Sequence, residues 1–172
     1  MPNRKTNKYN VFIGLGSNIG NRSDFLDRAL ALLEEKVGCI LRQSSVYETE
    51  PWGVKEQDLF LNMIVLLESK RSPWQLLSDL QLIEKKLEKK KIMKWGPRTI
   101  DLDIIYFDKK IIFEKDLIIP HPNMYLRNFV LAPLMEIAPD LLHPILNIKT
   151  KSLFEGCPDK SEIKRIKPNT AS

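Results

Sequence analysis

Residues that mark the commonest catalytic and structural signatures are scarce in this sequence. Among 172 residues there are two cysteines, two histidines and seven glycines. Cys39 and Cys157 lie far apart and in no C-x-x-C pair, which argues against a disulfide framework or a cysteine-bound zinc. With only His121 and His143, a histidine-rich zinc site is argued against as well. No serine or cysteine stands in a nucleophile motif. No apolar run approaches the roughly 18 residues of a membrane helix, and the polar, basic start "MPNRKTNKYN" is followed by no secretory core. These absences point to a chain of the reducing cytoplasm without a membrane segment. The glycines of "GLGSNIG", at 14, 16 and 20, miss the G-x-G-x-x-G spacing, and no G-x-x-x-x-G-K-[ST] occurs, so neither dinucleotide fingerprint nor P-loop is present. They are read as permitting a tight strand-to-helix turn, with Asn18 and Asn21 as candidate helix caps.

What is there is a chain with 43% hydrophobic residues, enough for one domain over 1–172 with flexible tails at 1–9 and about 160–172. The net charge of +5 is local: residues 84–98 hold seven basic residues against two acidic, and the rest is balanced. A duplex-binding face would draw basic residues from several elements, whereas one basic segment suits a small polyanion. Directly after it comes "RTIDLDIIYF". On a strand, Asp101 and Asp103 share one face, with α-carbons roughly 6.5 to 7 Å apart, while Ile100, Leu102, Ile104 and Tyr106 share the other. Two neighbouring carboxylates can hold one hard cation or bridge two, and magnesium with waters and phosphates is the expected metal. A half-buried strand with its polar face in water accounts for the doublet too, and a solvated helix end for the lysines.

Periodicity supplies the frame. "YNVFIGLG" reads as a strand; Leu26, Ala29, Leu30, Leu33 and Val37 recur at helical spacing after Ser23, a plausible N-cap. "CILRQSSVYET" and "LFLNMIVLLE" read as two strands separated by "EPWGVKEQD". Ser72-Pro73 opens a second helix with an apolar stripe of Leu76, Leu80, Ile83 and Leu87. The aspartate strand, a hairpin through "FDKKII", a short helix near 129 to 138 limited by Pro133, and a frayed tail "SEIKRIKPNTAS" complete the chain. The order βαββαβ predicts an α+β ferredoxin-like sandwich, with helices on one face of an antiparallel sheet and a C-terminal hairpin and short helix.

From about residue 11 to 157 the blocks "IGLGSNIGNR", "SSVYETEPWG", "FLNMIV", "WGPRTIDLDIIYF" and "IIPHPNMYLRNFVLAPLMEIAP" resemble the 6-hydroxymethyl-7,8-dihydropterin pyrophosphokinases, folate-pathway enzymes that move pyrophosphate from ATP to a pterin alcohol. The resemblance implies that Asp101 and Asp103 bind two magnesium ions spanning the triphosphate, because phosphoryl transfer depends on positioning and charge stabilisation. It implies that Arg98, His121 and Arg127 contact phosphates; guanidinium forks suit that task. Phe60 and Phe129 would sandwich the pterin ring, Asn62 would pair with its amino-oxo edge, and Thr49, Trp52, Trp95 and Asp101 would add contacts. Leu77, Gln81, Glu84, Ile104 and Leu117 would lie on the nucleoside side of the ATP site, with Trp95, Arg98 and His121. Lysines stand where arginines often act in the family, one residue is missing between Glu84 and Trp95, and Lys89 or Lys91 becomes the candidate phosphate contact. Partners would be the two small substrates, with neither nucleic acid nor membrane. Two other readings are an RNA-binding module, although the strand motif K/R-G-F/Y-G/A-F-V-x-F/Y is missing, and a pterin- or nucleotide-binding protein without catalysis.

Overall fold

The apolar run Tyr9–Ser17 forms β1, the strand around which the rest is arranged. The structure, a computed structural model, describes residues 7–89 and 96–166. After β1 come α1 (Arg22–Lys36), β2 (Gly38–Gln43), β3 (Val46–Thr49), β4 (Phe60–Ser69), α2 (Pro73–Lys86) and β5 (Asp101–Phe107). Then follow β6 (Ile112–Phe113), β7 (Ile118–Ile119), α3 (Asn128–Ile137), α4 (Thr150–Glu155) and β8 (Ile163–Ile166). The main sheet runs β5-β1-β4-β3-β8, with β2 also pairing β4, and every pairing is antiparallel. This is the expected α+β architecture, β2 and β3 together acting as the second strand of the βαββαβ unit.

Period two along the strands and period 3.6 along the helices meet in one core. Leu26, Ala29 and Leu33 of α1 and Leu76, Leu80 and Ile83 of α2 pack on Val11, Ile13, Leu15, Leu102 and Ile104. Each fully buried leucine contributes roughly 1.5 to 3 kcal/mol over an exposed one. α2 starts at a capping box, Ser72 and Gln75 each bonding the other's backbone, with Pro73 in the first turn as expected.

Several expectations are corrected. Helices cover both faces: α3 and α4 bury Val130, Leu131, Leu134 and Leu153 against Phe12, Ile64, Ile105 and Tyr106. Tyr106 therefore lies opposite Leu102 and Ile104, because the β1–β5 register slips at Phe12/Ile13 and leaves Ile105 unpaired as a bulge, which reverses the alternation. The cap of α1 is Asn21, whose side chain accepts from Asp24 N, rather than Ser23. "CILRQSSVYET" breaks at Ser44, whose Oγ accepts from Ile64 N and so stands in for a ladder bond. β6 pairs with β7 and not with β5, so the hairpin turns through 114–117. Pro133 sits inside α3, which continues to Ile137 because its neighbours Val130, Leu131, Ala132 and Leu134 are all buried and packing offsets the missing N–H. The expected tail contains β8, which pairs with β3 and is pinned where Arg165 meets Ser45 Oγ (2.8 Å) and Glu136 (3.3 Å).

Candidate active site

Three central strands set one row of residues side by side: β4 Asn62 faces β1 Gly16, which faces β5 Asp101. A Cβ on Gly16 would stand 2.7 Å from Asn62 Oδ1 and the amide would have to shift, so glycine here serves the close approach of a side chain, not the turn anticipated from "GLGSNIG". Asn62 is buried and its Nδ2 donates to Thr49 Oγ1 at 2.7 Å, which fixes the amide orientation. Above this row opens a cavity lined by Thr49, Asn62 and the rings of Trp52, Phe60 and Phe129, together with Arg98, Asp101, Asp103, His121 and Arg127. The Arg127 guanidinium lies 5.1 Å from the Trp52 ring centre and 5.8 Å from that of Phe129, and Arg98 lies 5.7 Å from Phe60. Flat faces and cations thus alternate around the cavity mouth.

A second cavity opens on the other side of Asp103 and His121, which line both. Its walls are the apolar Leu77, Leu80, Leu102, Ile104 and Leu117, with Lys115 and Asp116 at the edge. Leu77, Ile104 and Leu117 were expected there. Lys115 and Asp116 were not, since charged residues in a hairpin loop carry no periodic signal. Gln81 is exposed on α2 and lines neither cavity. Lys91 and Trp95 lie outside the described residues.

The carboxylates hold cations already. Asp101 Oδ1 accepts from Lys89 Nζ and Oδ2 from Arg98 Nη1, each at 2.7 Å. Burial alone would raise the Asp101 carboxyl, but Lys89 and Arg98 outweigh it and hold it below the usual range. For Asp103 the balance reverses: enclosure in the cleft, then repulsion from Asp101 and Glu84, push it up to about 8. Asp103 still exposes surface to water in the cleft, so of these causes the neighbouring carboxylates are the one the geometry secures. Among the described residues no ion pair reaches Asp103. Glu84, raised chiefly by burial, accepts from Leu102 N at 2.8 Å and meets Lys89 at 3.1 Å. His121 is pulled down to about 4 by burial and by Arg127, so near neutral pH it is a neutral imidazole; its N–H of the main chain donates to Ile105 O.

Asn18, expected only as a helix cap, is the residue that the sequence undervalued. Its Oδ1 accepts from Arg98 N at 2.8 Å and its own N donates to Arg98 O at 3.0 Å. Its Nδ2 donates to Gln57 Oε1 and Asp58 O, at 2.9 and 3.0 Å, tying the loop after Trp52 to Arg98.

Among the described residues no group of three or more histidine, cysteine or carboxylate side chains could hold a metal alone. The aspartate pair nevertheless fits a hard cation. Its donors are all oxygen, Asp101 seats two positive groups, and Asp103 faces the cleft with no ion pair among the described residues. Remaining coordination positions would fall to water and to a ligand's own oxygens.

Clustered carboxylates on a strand, arginines around them and two cavities meeting there are the parts that phosphoryl transfer requires. Residues 12–139 match the family of 7,8-dihydro-6-hydroxymethylpterin-pyrophosphokinases, and the chain belongs to that family. It is 47% identical over 128 residues to the 2-amino-4-hydroxy-6-hydroxymethyldihydropteridine pyrophosphokinase of Bacillus subtilis, covering 74% of this chain and 77% of that one. It is 43% identical over 158 residues to the folic acid synthesis protein fol1 of Pneumocystis carinii, covering 92% of this chain but 21% of that protein. The HPPK-DHPS crystal structure of Plasmodium falciparum with pteroate shares the fold, with a TM-score of 0.72 at 18% identity, over 88% of this chain and 43% of that one. An open sheet platform of the RNA-binding kind is absent among the described residues, because α3 and α4 cover the second face. No described helix is long and apolar enough to cross a membrane.

Proposed function

We propose that the first cavity binds 6-hydroxymethyl-7,8-dihydropterin, the second binds the nucleoside of ATP, and pyrophosphate passes from ATP to the pterin hydroxymethyl oxygen where they meet. The observation that carries this reading is the shared wall. Asp103 and His121 border both cavities, so an acceptor in one and a donor in the other bring hydroxyl and triphosphate to the same carboxylates. The hydroxyl oxygen forms a bond to the β-phosphorus, the bond to the α–β bridging oxygen breaks, AMP leaves with that electron pair, and the hydroxyl proton passes to solvent.

Phe60 and Phe129 hold the ring between aromatic faces, and Asn62, already oriented by Thr49, pairs with the amino-oxo edge. Trp52 and Arg127 close the mouth. Arg98, Arg127 and His121 offer donors to phosphate oxygens, the histidine as a neutral N–H. Asp101 and Asp103 are the residues that would hold magnesium, two ions in this reading. When bound, the metal neutralises the triphosphate and orients it for in-line displacement. Reading 1–172 as one domain is supported by two apolar clusters that share one sheet. A reducing cytoplasm is supported by Cys39 and Cys157, both free thiols. The test is AMP release from ATP and magnesium with and without the pterin. Pterin-dependent release is the expected result. Binding of both ligands with no AMP would leave a non-catalytic binding protein.

A further inference from the structure

Lys89 has a position that contact with phosphate alone does not explain. Its ammonium lies 2.7 Å from Asp101 Oδ1 and 3.1 Å from Glu84 Oε2, and it is only one-fifth exposed. The backbone puts it there. α2 ends with Glu88 N–H on Lys85 O and Lys89 N–H on Glu84 O, both at 3.0 Å, with Glu88 left-handed at φ +55. That pair of bonds is a Schellman turn, normally built with glycine at the left-handed position. Glutamate there carries backbone strain that glycine would not, and the turn aims the next side chain back at β5. Glu84 meanwhile uses its other oxygen on Leu102 N, the amide between the two aspartates. One side chain thus sets both the strand and the lysine.

We propose that Glu84 is a positioning residue which stations Lys89 on Asp101 as an internal counter-ion, and that this ammonium is exchanged for a magnesium only when nucleotide arrives. The inference rests on the reading of Asp101 as a metal ligand. Without nucleotide, the three carboxylates Glu84, Asp101 and Asp103 face the cations Lys89 and Arg98, with Arg127 also acting on the aspartates, which leaves little net negative charge to attract a divalent ion. The triphosphate changes the balance: it brings negative charge for both the metal and the released lysine, so metal and nucleotide load together. Burial by itself would lower the Lys89 ammonium, yet Asp101 and Glu84 outweigh it and the net direction is upward, as for a well-seated counter-ion.

The experiment measures Mn2+ uptake by electron paramagnetic resonance in nucleotide-free protein, with the Lys89 side-chain 15N signal followed by NMR. Lys89→Met is expected to raise Mn2+ affinity about tenfold. Lys86→Met, which removes an exposed charge on the same helix, is expected to change it less than twofold. In the wild type the Lys89 ammonium should be exchange-protected and lose its Asp101 contact when a non-hydrolysable ATP analogue and Mg2+ are added. Glu84→Gln, which keeps an acceptor for Leu102 N, should abolish that protection while the Leu102 amide stays protected. Lys89→Met with Mn2+ affinity within twofold of wild type, or a lysine signal indifferent to nucleotide, overturns the exchange. Wild-type Mn2+ uptake with the analogue, lost in Asp103→Asn, checks the metal site separately; its absence would bring down the reading on which the exchange rests.

Discussion

The two lobes of the cleft are built on opposite principles. Among the rings proposed to hold the pterin, the polar side chain is neutral and already oriented: Asn62 is bonded to Thr49 and Gly16 leaves it room. Around the carboxylates, where the triphosphate is proposed to lie, charged groups are held by one another, Lys89 between Glu84 and Asp101, and Arg98 on Asp101. A neutral pocket can wait fully formed because its desolvation cost is small once hydrogen bonds are made. A site for a tetravalent anion and its cations cannot, since charges without counter-ions are expensive in a cleft. One lobe is therefore a mould and the other an ion exchanger.

The largest expected effect breaks the charged lobe. Asp103→Asn should lower pterin-dependent AMP formation by about 10²-fold or more, while the protein remains folded. Its metal-free stability should even rise at alkaline pH. The folded-state value of Asp103, about 8, lies above that of a free carboxyl, so ionisation costs the fold stability as pH climbs from about 4 to 8. Thermal melts at pH 6 and pH 9 check this: the gain of the variant should be the larger at pH 9. A destabilised variant at pH 9 would contradict the crowded-carboxylate picture.

The next effect breaks the mould. Asn62→Ala should weaken pterin binding by about 1 to 3 kcal/mol and leave ATP-analogue affinity unchanged in calorimetric titration. Equal losses for both ligands would show that the lobes are not independent in this way. A subtler form is Gly16→Ala, whose new methyl meets Asn62 Oδ1 at 2.7 Å and must turn the amide. About tenfold weaker pterin binding, without loss of Mn2+ uptake in the presence of ATP analogue, is the expected titration result.

How much of this was written in the sequence follows from the range of the contacts. Asp101 and Asp103 were legible because period two is local, and the stripes Leu76, Leu80, Ile83 and Leu26, Ala29, Leu33 because period 3.6 is local. Asn62 was legible as an amide in an apolar run. Asn18 was not: its partners are 80, 39 and 40 residues away, and nothing near it marks it as more than a cap. Gly16 looked like a turn residue because its true constraint is a side chain two strands of sequence later. Tyr106 was assigned to the wrong face because a bulge interrupts an alternation the sequence carries unbroken. The second helical layer was missed because the helices, the short one near 129 to 138 included, were expected on one face of the sheet, and nothing local marks which face α3 covers.

The smallest expected effect concerns neither lobe, and so calibrates both. Glu136 gathers Ser45, Tyr47 and Arg165, and although burial opposes it, these bonds hold its carboxyl below the usual range. A depressed value means that its contribution is present above the ordinary carboxyl range and is lost as pH falls through the folded value. Glu136→Gln should therefore lower the melting temperature slightly at pH 7 and hardly at all near pH 3. A deficit that grows on acidification would reverse the sign.

That network has a further consequence through β8, the strand that closes one side of the sheet. A chain ending at Cys157 would keep nearly all of the residues that resemble the family, yet would strip the backbone partners from Val46–Thr49. Uncovered N–H and C=O groups along a flat strand are a template for another copy's strand. β8 resists that fate itself by being four residues long and by carrying Lys164 and Arg165. The last described strand thus covers the β3 edge, and removing it is expected to open that edge to strand-to-strand pairing between copies before any cavity residue is touched, which light scattering of the shortened chain checks.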